Sequence, residues 1–243
     1  MPTSLIRILT WNIHKGIGGV DRRYDLNRII STIHHYDPDI AFLQEVDDGV
    51  PRSRFDCQVD LLSAALHFRH QLFQTNVRLK QGGYGNAILS RFPFQANWNI
   101  SLKVRLKKNR RAIVGKLLVP FADGERTLIV GNTHLGLAGY ERKQQLRMLL
   151  DADPLRQAHH DTPVVLGGDM NDVYHSLDSR LSRSGFLATN RNAKTYPAFM
   201  PVRGLDRLYY RGAIELDHAF VGHLELARQA SDHLPVIADI RLK

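Results

Sequence analysis

Apolar and polar positions change period several times along this chain, and each change marks an element. The opening run Leu5-Ile6-Arg7-Ile8-Leu9-Thr10-Trp11 is apolar and partly β-branched, which predicts a strand. From Asp25 to Tyr36 the residues Leu26, Ile29, Ile30 and Ile33 recur at helical spacing. Asp37-Pro38 ends that helix, because a residue before proline is steered out of the helical region. A second apolar strand, Ile40-Ala41-Phe42-Leu43, runs directly into Gln44-Glu45, and a helix from about Val59 to Leu66 follows. The first third therefore reads strand, helix, strand, helix.

The middle is different. Segments near 70–77, 84–90, 95–104, 111–119 and 126–133 are short, partly alternating and β-branched, with turn residues such as Gly82-Gly83 and Asp123-Gly124 between them. That is the pattern of antiparallel sheet. A helix from about Tyr140 to Leu150, a strand at Pro163-Val164-Val165-Leu166-Gly167-Gly168 and closing strands near 206–210, 214–220 and 235–241 complete the chain. Two packed sheets, mixed but largely antiparallel, with helices on their outer faces would bury all these strands, so an α/β sandwich is expected. With no repeat, low-complexity tract or Pro/Ser-rich linker, the 243 residues are expected to form one domain over 1–243. The loop from about Ser184 to Gly204 is the least structured stretch. It either shapes a substrate cleft or is an ordinary surface connection.

Composition narrows the partners. Hydrophobic residues at 43% and charged residues at 23% suffice for a substantial core and argue against disorder. Thirty-three Lys and Arg against twenty-four Asp and Glu leave +9, a surface that attracts nucleic acid or an anionic membrane face. Taken alone, such a surplus is more often a solvated surface than a binding site. The single cysteine, Cys57, excludes an internal disulfide framework and a multi-cysteine metal site. With no apolar stretch for a secretory signal after Met1-Pro2-Thr3-Ser4 and no segment approaching a membrane span, a cytosolic location is expected. Nothing implies an obligate protein partner.

Candidate chemistry sits at strand ends. Asn12, Glu45, His134, Asp169 with Asn171, and Asp232 with His233 each follow a strongly apolar run, where a side chain is held on a rigid platform. One such residue is unremarkable; five sets together point to a site. Glu45 is a hard oxygen donor suited to Mg²⁺ or Mn²⁺, unless it is a surface Glu at a strand end. Asn12 either supports it or sits in a turn. In Asp169-Met170-Asn171 the alternation of a strand would put carboxylate and amide on one face, the first to orient a water and the second to stabilise charge on a phosphate. The competing reading is an Asx turn after Gly167-Gly168. His134 and His233 could hydrogen-bond or protonate a phosphoryl group, with Asp206 fixing the tautomer of His233. His14 is a weaker candidate than Asn12, and His34, His35, His159 and His160 are expected in solvated or packing roles.

The ordered set Thr10-Trp11-Asn12, Leu43-Gln44-Glu45, Gly85-Asn86-Ala87-Ile88-Leu89-Ser90, Asn132-Thr133-His134, Gly168-Asp169-Met170-Asn171, Leu205-Asp206 and Ser231-Asp232-His233 resembles the endonuclease/exonuclease/phosphatase superfamily over almost the full length. The resemblance implies a four-layer α/β sandwich like that of deoxyribonuclease I, with the site in a cleft at one edge of the sheets. It also implies roles. Glu45 would ligate Mg²⁺ with help from Asn12, Asp232 would support the metal environment, and Asp169 would activate water. Asn171 would bind the phosphate, His233 paired with Asp206 would stabilise the transition state, and His134 would contact the phosphate or assist the leaving group. Arg110 and Arg111, in Lys107-Lys108-Asn109-Arg110-Arg111-Ala112, either form a phosphate clamp or an exposed basic turn. The expected activity is metal-dependent phosphodiester hydrolysis. The basic segment Lys103 to Arg111 favours DNA or RNA as substrate. A phospholipid or small phosphodiester is the alternative, and a catalytically inactive polyanion-binding module the third reading.

Overall fold

Why the candidate motifs share one edge follows from the way the strands pair. The computed structural model describes residues 5–122 and 124–243; Asp123 of the expected Asp123-Gly124 turn, like Met1 to Ser4, lies outside the described residues. One six-stranded sheet contains β1 (Leu5–Asn12), β2 (Ile40–Asp48), β3 (His70–Arg78), β4 (Gly83–Ser90), β11 (Ile214–Val221) and β12 (Val236–Leu242), in the order β11-β12-β1-β2-β4-β3. The other contains β5 (Phe94–Ser101), β6 (Arg111–Phe121), β7 (Gly124–His134), β8 (Val164–Asp169), β9 (Leu187–Ala188) and β10 (Asp206–Arg211), in the order β5-β6-β7-β8-β10-β9.

Each sheet is antiparallel except for one central parallel pair, β1 with β2 and β7 with β8. A parallel pair needs a crossover, and here helices provide it: α1 (Leu26–Tyr36) between β1 and β2, then α3 (Gly139–Leu150) and α4 (Asp153–Arg156) between β7 and β8. The C-terminal ends of both strands of a parallel pair lie at the same edge, which is where open α/β sheets place ligands. Asn12 and Glu45 are brought to that edge by one sheet, His134 and Asp169 by the other.

Side-chain parity divides the core into layers. Ile6, Ile8, Ile40 and Phe42 point toward the second sheet and pack with Ile113, Leu117, Val130 and Leu208. Their neighbours Leu9, Trp11, Ala41 and Leu43 point outward, against Ile29 and Ile33 of α1 and Leu62 of α2 (Gln58–Ala65). On the far side Val114 and Leu166 meet Leu146 and Leu149 of α3. The result is the helix–sheet–sheet–helix sandwich expected from the sequence. Strands covered on both faces carry runs of consecutive apolar residues, as in Ile40 to Leu43 of β2 and Val164 to Leu166 of β8, whereas burial alternates along the edge strand β5.

The element boundaries shift for local reasons. Helix α1 begins at Leu26 because Asp25 is its N-cap, accepting from Asn27 N at 3.0 Å, and ends at Asp37, whose φ of 47° is left-handed. Strand β2 continues past Leu43 to Asp48 through a bulge at Glu45. The stretch 184–204 holds the two-residue strand β9 and is otherwise mostly turns and irregular backbone. Three short helices, α4, α5 (Asp178–Arg183) and α6 (Glu225–Ala230), have no counterpart in the sequence reading, since six residues or fewer are too short to display a helical period. No helix among the described residues is long and apolar enough to cross a membrane.

Candidate active site

Two buried amides join the sheets just beneath the edge. Gln44 Nε2 donates to Asn132 Oδ1 at 2.8 Å, and Asn132 Nδ2 donates to the carbonyls of Leu43 and Ala87 at 2.9 and 2.8 Å. Both amides are buried, so these donor bonds are not exchanged for water and they hold the spacing of the strands that carry Glu45 and His134. Glu45 follows Gln44 at the β-bulge with φ of 56°, a left-handed conformation uncommon for a side chain other than glycine. The bulge turns its carboxylate into the cleft, where Lys15 Nζ contacts Oε2.

Asp169 ends β8. Gly168 before it has φ of 130°, and a Cβ there would lie 1.8 Å from the Thr133 carbonyl oxygen, so only glycine allows β7 and β8 to approach this closely. The Asp169 carboxylate is the hub of the site. Its Oδ2 accepts from Asn12 Nδ2 at 3.0 Å and lies 3.3 Å from His134 Nε2 and 4.0 Å from His233 Nε2. Its Oδ1 accepts from Asn171 N at 3.1 Å. That last bond corrects the strand-alternation argument for Asp169 and Asn171. The strand stops at Asp169, Asn171 has φ of 51°, and an Asx turn brings the two together. One amide N–H of Asn171 is committed to the Leu135 carbonyl at 2.9 Å, leaving the other and Oδ1 available.

His233 is reached from the opposite end of the sequence. Trp11 Nε1 donates to the His233 carbonyl at 2.8 Å, and Ser231 Oγ donates to the Asn12 carbonyl at 2.7 Å while accepting from His233 N. These bonds tie the segment entering β12 to the end of β1. Behind the imidazole, Nδ1 lies 2.8 Å from Oδ2 of buried Asp206, which stands opposite Asp169 in the β8–β10 register and also accepts from Thr195 Oγ1. The Tyr196 ring packs on the imidazole at 4.9 Å between centroids.

The family model of the endonuclease/exonuclease/phosphatase family matches residues 9–233, spanning every strand end just described. The chain belongs to the endonuclease/exonuclease/phosphatase family. It is 28% identical to the uncharacterized protein YbhP of Escherichia coli K12, over 97% of this chain and 96% of that protein. Among solved structures of the family, that of an endonuclease/exonuclease/phosphatase from Beutenbergia cavernae is 25% identical with a TM-score of 0.79, covering 98% of this chain and 72% of that one. The human nocturnin catalytic domain with a bound sulfate anion has the same fold, at 23% identity and a TM-score of 0.77, covering 98% of this chain and 94% of that one.

Within this family fold, Asn12, Glu45, Arg110, His134, Asp169, Asn171, Asp232 and His233 line one cleft of ≈ 520 Å³, with Asp206 buried behind His233. Arg111 does not line it. Arg111 is the first residue of β6 and Arg110 precedes the strand; Arg110 enters the cleft and Arg111 lines the neighbouring groove, which dissolves the expected two-arginine clamp. Sequence reasoning passed over Lys15, Lys108, Tyr196 and Arg203, which also line the cleft. The signal for Lys108 was the basic run itself. For Tyr196 and Arg203 it was the irregular loop 184–204, and Lys15 had none beyond its place after Asn12.

Burial sets the charge states. Desolvation pushes the Glu45 carboxyl up, but charge on His134, Lys15 and His14 outweighs it and holds the group at about 2. Desolvation and the Arg110 guanidinium keep His134 well below its ordinary value, so near neutral pH it is Lys15 that holds Glu45 ionised. Burial raises Asp169, aided by Asp206 and opposed by His233. Burial would lower His233, yet Asp206, with Asp169 and Asp232, carries it upward. Arg110 is 5% exposed, its Nε has no hydrogen-bond partner, and among the described residues no carboxylate lies within ion-pair distance. Burial presses its pKa down, as for any buried cation that lacks an anion.

Enzymes of this family generally use divalent metals, and the residues present fit one. Asp169, Asp206 and His233 bring ligand atoms within 4.8 Å of one another, although Asp206 already engages Nδ1 of His233. Glu45 and Asn12 add hard oxygen donors at the same cleft. Asp232, half-buried beside His14, has an Oδ1 that is buried without a hydrogen-bond partner. A carboxylate oxygen without a hydrogen bond, in a cleft that an ionised Glu also lines, is an environment a hard cation completes.

Proposed function

We propose that this protein is a divalent-metal-dependent phosphodiesterase that cleaves the P–O bond with water, and that its favoured substrate is DNA or RNA. The observation that carries the reading is the arrangement around Asp169: a buried carboxylate gathered by Asn12, His134 and His233, facing Glu45 and an unpaired Arg110 in one cleft. Buried Arg110 is a cation awaiting an anion, and a phosphodiester supplies it.

The roles follow from the contacts. Asp169, its basicity raised by burial, takes a proton from water as the oxygen attacks phosphorus. The opposite P–O bond breaks, and the leaving oxygen departs with the bonding electrons. Charge gathering on the non-bridging oxygens meets Arg110, the Nε2–H of cationic His233 and the free amide N–H of Asn171. Asp206 holds the His233 ring and its charge without touching substrate. His134, kept neutral, sets Nε2 3.3 Å from Asp169 Oδ2 and helps position that carboxylate. Glu45, with Asn12 and Asp232, would hold Mg²⁺ or Mn²⁺, which would supply Lewis-acid neutralisation of the phosphoryl charge.

The polynucleotide preference rests on Lys15, Lys108, Arg110 and Arg203 gathered at the cleft, and on the net charge of +9. A second reading, phospholipid hydrolysis, has its own observation. Leu137 in the cleft wall is 78% exposed, and Phe199, Met200 and Val202, in the loop between Tyr196 and Arg203, are 55–61% exposed. We place the protein in the cytosol as one domain, a reading supported by its lone exposed cysteine and by the core shared between the two sheets. The test is release of p-nitrophenol from bis(p-nitrophenyl) phosphate with Mg²⁺, Mn²⁺ or chelator. Metal-dependent release is expected. A protein inert with every metal and every phosphodiester offered would be the polyanion-binding module instead.

A further inference from the structure

We propose that the groove beside the catalytic cleft is a second phosphate-binding site, which holds the sugar–phosphate chain flanking the scissile bond of a polynucleotide; this rests on the phosphodiesterase reading of the cleft. The groove measures ≈ 640 Å³, larger than the cleft at ≈ 520 Å³, and Lys108 lines both. Its walls are the edge strand β3 of one sheet and the segment entering β6 of the other. They are pinned together by Asn109 Nδ2 donating to the Asn76 carbonyl and Asn86 Nδ2 donating to the Arg111 carbonyl, both at 3.0 Å. The groove is therefore a built feature of the sheet edges.

Its chemistry selects an anion with more than one phosphate. Arg78, Lys108 and Arg111 line it together with the amides of Gln74, Asn76 and Asn109, and no Asp or Glu does. Several surface arginines here are neutralised: Arg7, Arg28, Arg52, Arg91, Arg147 and Arg156 each pair with an aspartate. Among the described residues Arg78, Lys108 and Arg111 have no such partner, and Arg111 Nε is buried without a hydrogen bond. Unpaired cations with adjacent amide donors match phosphate oxygens. The separation of Arg110 and Arg111 then has a use: one guanidinium faces the scissile phosphate while its neighbour faces the next stretch of the strand, with Lys108 between them. A phospholipid would place its apolar tails, not a second phosphate, beyond the headgroup, and the cations of this groove would gain nothing from them.

Binding separates the groove from the chemistry. Anisotropy of a short labelled single-stranded oligonucleotide, with chelator present so that nothing is cut, gives Kd at several salt concentrations. Arg78→Ser with Arg111→Ser should weaken Kd by ~10-fold and lower the log–log salt slope by about 1.4, since each phosphate contact on a single strand contributes about 0.7. Arg111→Lys, which keeps the charge, should retain the wild-type slope. Hydrolysis of bis(p-nitrophenyl) phosphate by the double variant should match wild type, because that substrate has one phosphate. Unchanged Kd and slope in the double variant would overturn the proposal, and so would a variant that loses sedimentation with phosphatidylglycerol vesicles but keeps oligonucleotide affinity. Failure of wild type to cleave any phosphodiester, with groove-dependent oligonucleotide binding intact, would instead remove the enzyme reading and leave the second site standing.

Discussion

Replacing Asp206 with Asn keeps the shape behind His233 and removes only the charge. In the native protein burial works against the imidazolium, but Asp206, 2.8 Å from Nδ1, lifts its pKa from 6.5 to about 10 with help from Asp169 and Asp232. The amide oxygen of Asn can still accept from Nδ1–H, so the ring stays in place while its pKa drops to ~6.5 or below. At pH 8 the protonated fraction then falls from ~0.99 to ~0.03, a loss of ~30-fold in kcat if the cation stabilises the transition state. Near pH 6.5 the loss shrinks to about twofold. The assay is the pH–rate profile of bis(p-nitrophenyl) phosphate hydrolysis, with NMR titration of the His233 ring to read its protonation directly. Stability changes with the same sign. A raised pKa contributes fully below the unfolded value of ~6.5 and is lost as pH rises toward the folded one, so the metal-free wild type weakens through this window by ~3–5 kcal/mol. The variant should show a flatter dependence. A variant whose rate profile above pH 7 overlays wild type would refute the argument.

Three further perturbations test separate parts of the site. Glu45→Gln removes the ionised oxygen donor and should weaken Mn²⁺ binding, followed by calorimetry, at least ~100-fold; equal affinity would take Glu45 out of the metal site. Arg110→Met removes a buried, unpaired cation, so urea midpoints should rise by an equivalent of ~1–3 kcal/mol while hydrolysis drops ~100-fold or more; a less stable variant would mean that Arg110 has a partner in the folded state. Gly168→Ala places a Cβ 1.8 Å from the Thr133 oxygen at φ of 130° and should cost more than ~3 kcal/mol, seen as a lowered Tm. A wild-type Tm would show that β7 and β8 can part without loss.

Local pattern carried the fold further than the site. Leu26, Ile29 and Ile33 announce α1 because one stripe of that helix meets the sheet, and β8 reads as strand because it is covered on both faces. The continuation of β2 beyond Leu43 was not visible. Its bulge depends on pairing with β4, and no residue in Gln44-Glu45-Val46 signals a left-handed Glu. Asp206 and His233 were both legible as candidates, yet their 2.8 Å contact needs two segments that approach only through the sheet packing. Local spacing misled in two places. Asp169 and Asn171 meet through a turn, whereas Arg110 and Arg111, read as one clamp, line two different depressions where the chain enters β6. Gln44 and Asn132 lie inside recognised motifs, but their work of joining the sheets is apparent only where the buried amides meet.

The most direct test of the central claim compares wild type with Asp169→Asn in metal-dependent hydrolysis of bis(p-nitrophenyl) phosphate, with thermal unfolding of both proteins as the control for fold. Asn is isosteric and its single oxygen can keep one of the two bonds, that from Asn171 N or that from Asn12 Nδ2, but it cannot take a proton from water. The account predicts a folded variant whose metal-dependent rate falls by ~100-fold or more. A folded variant that hydrolyses the diester at the wild-type rate would place the chemistry elsewhere and contradict the account.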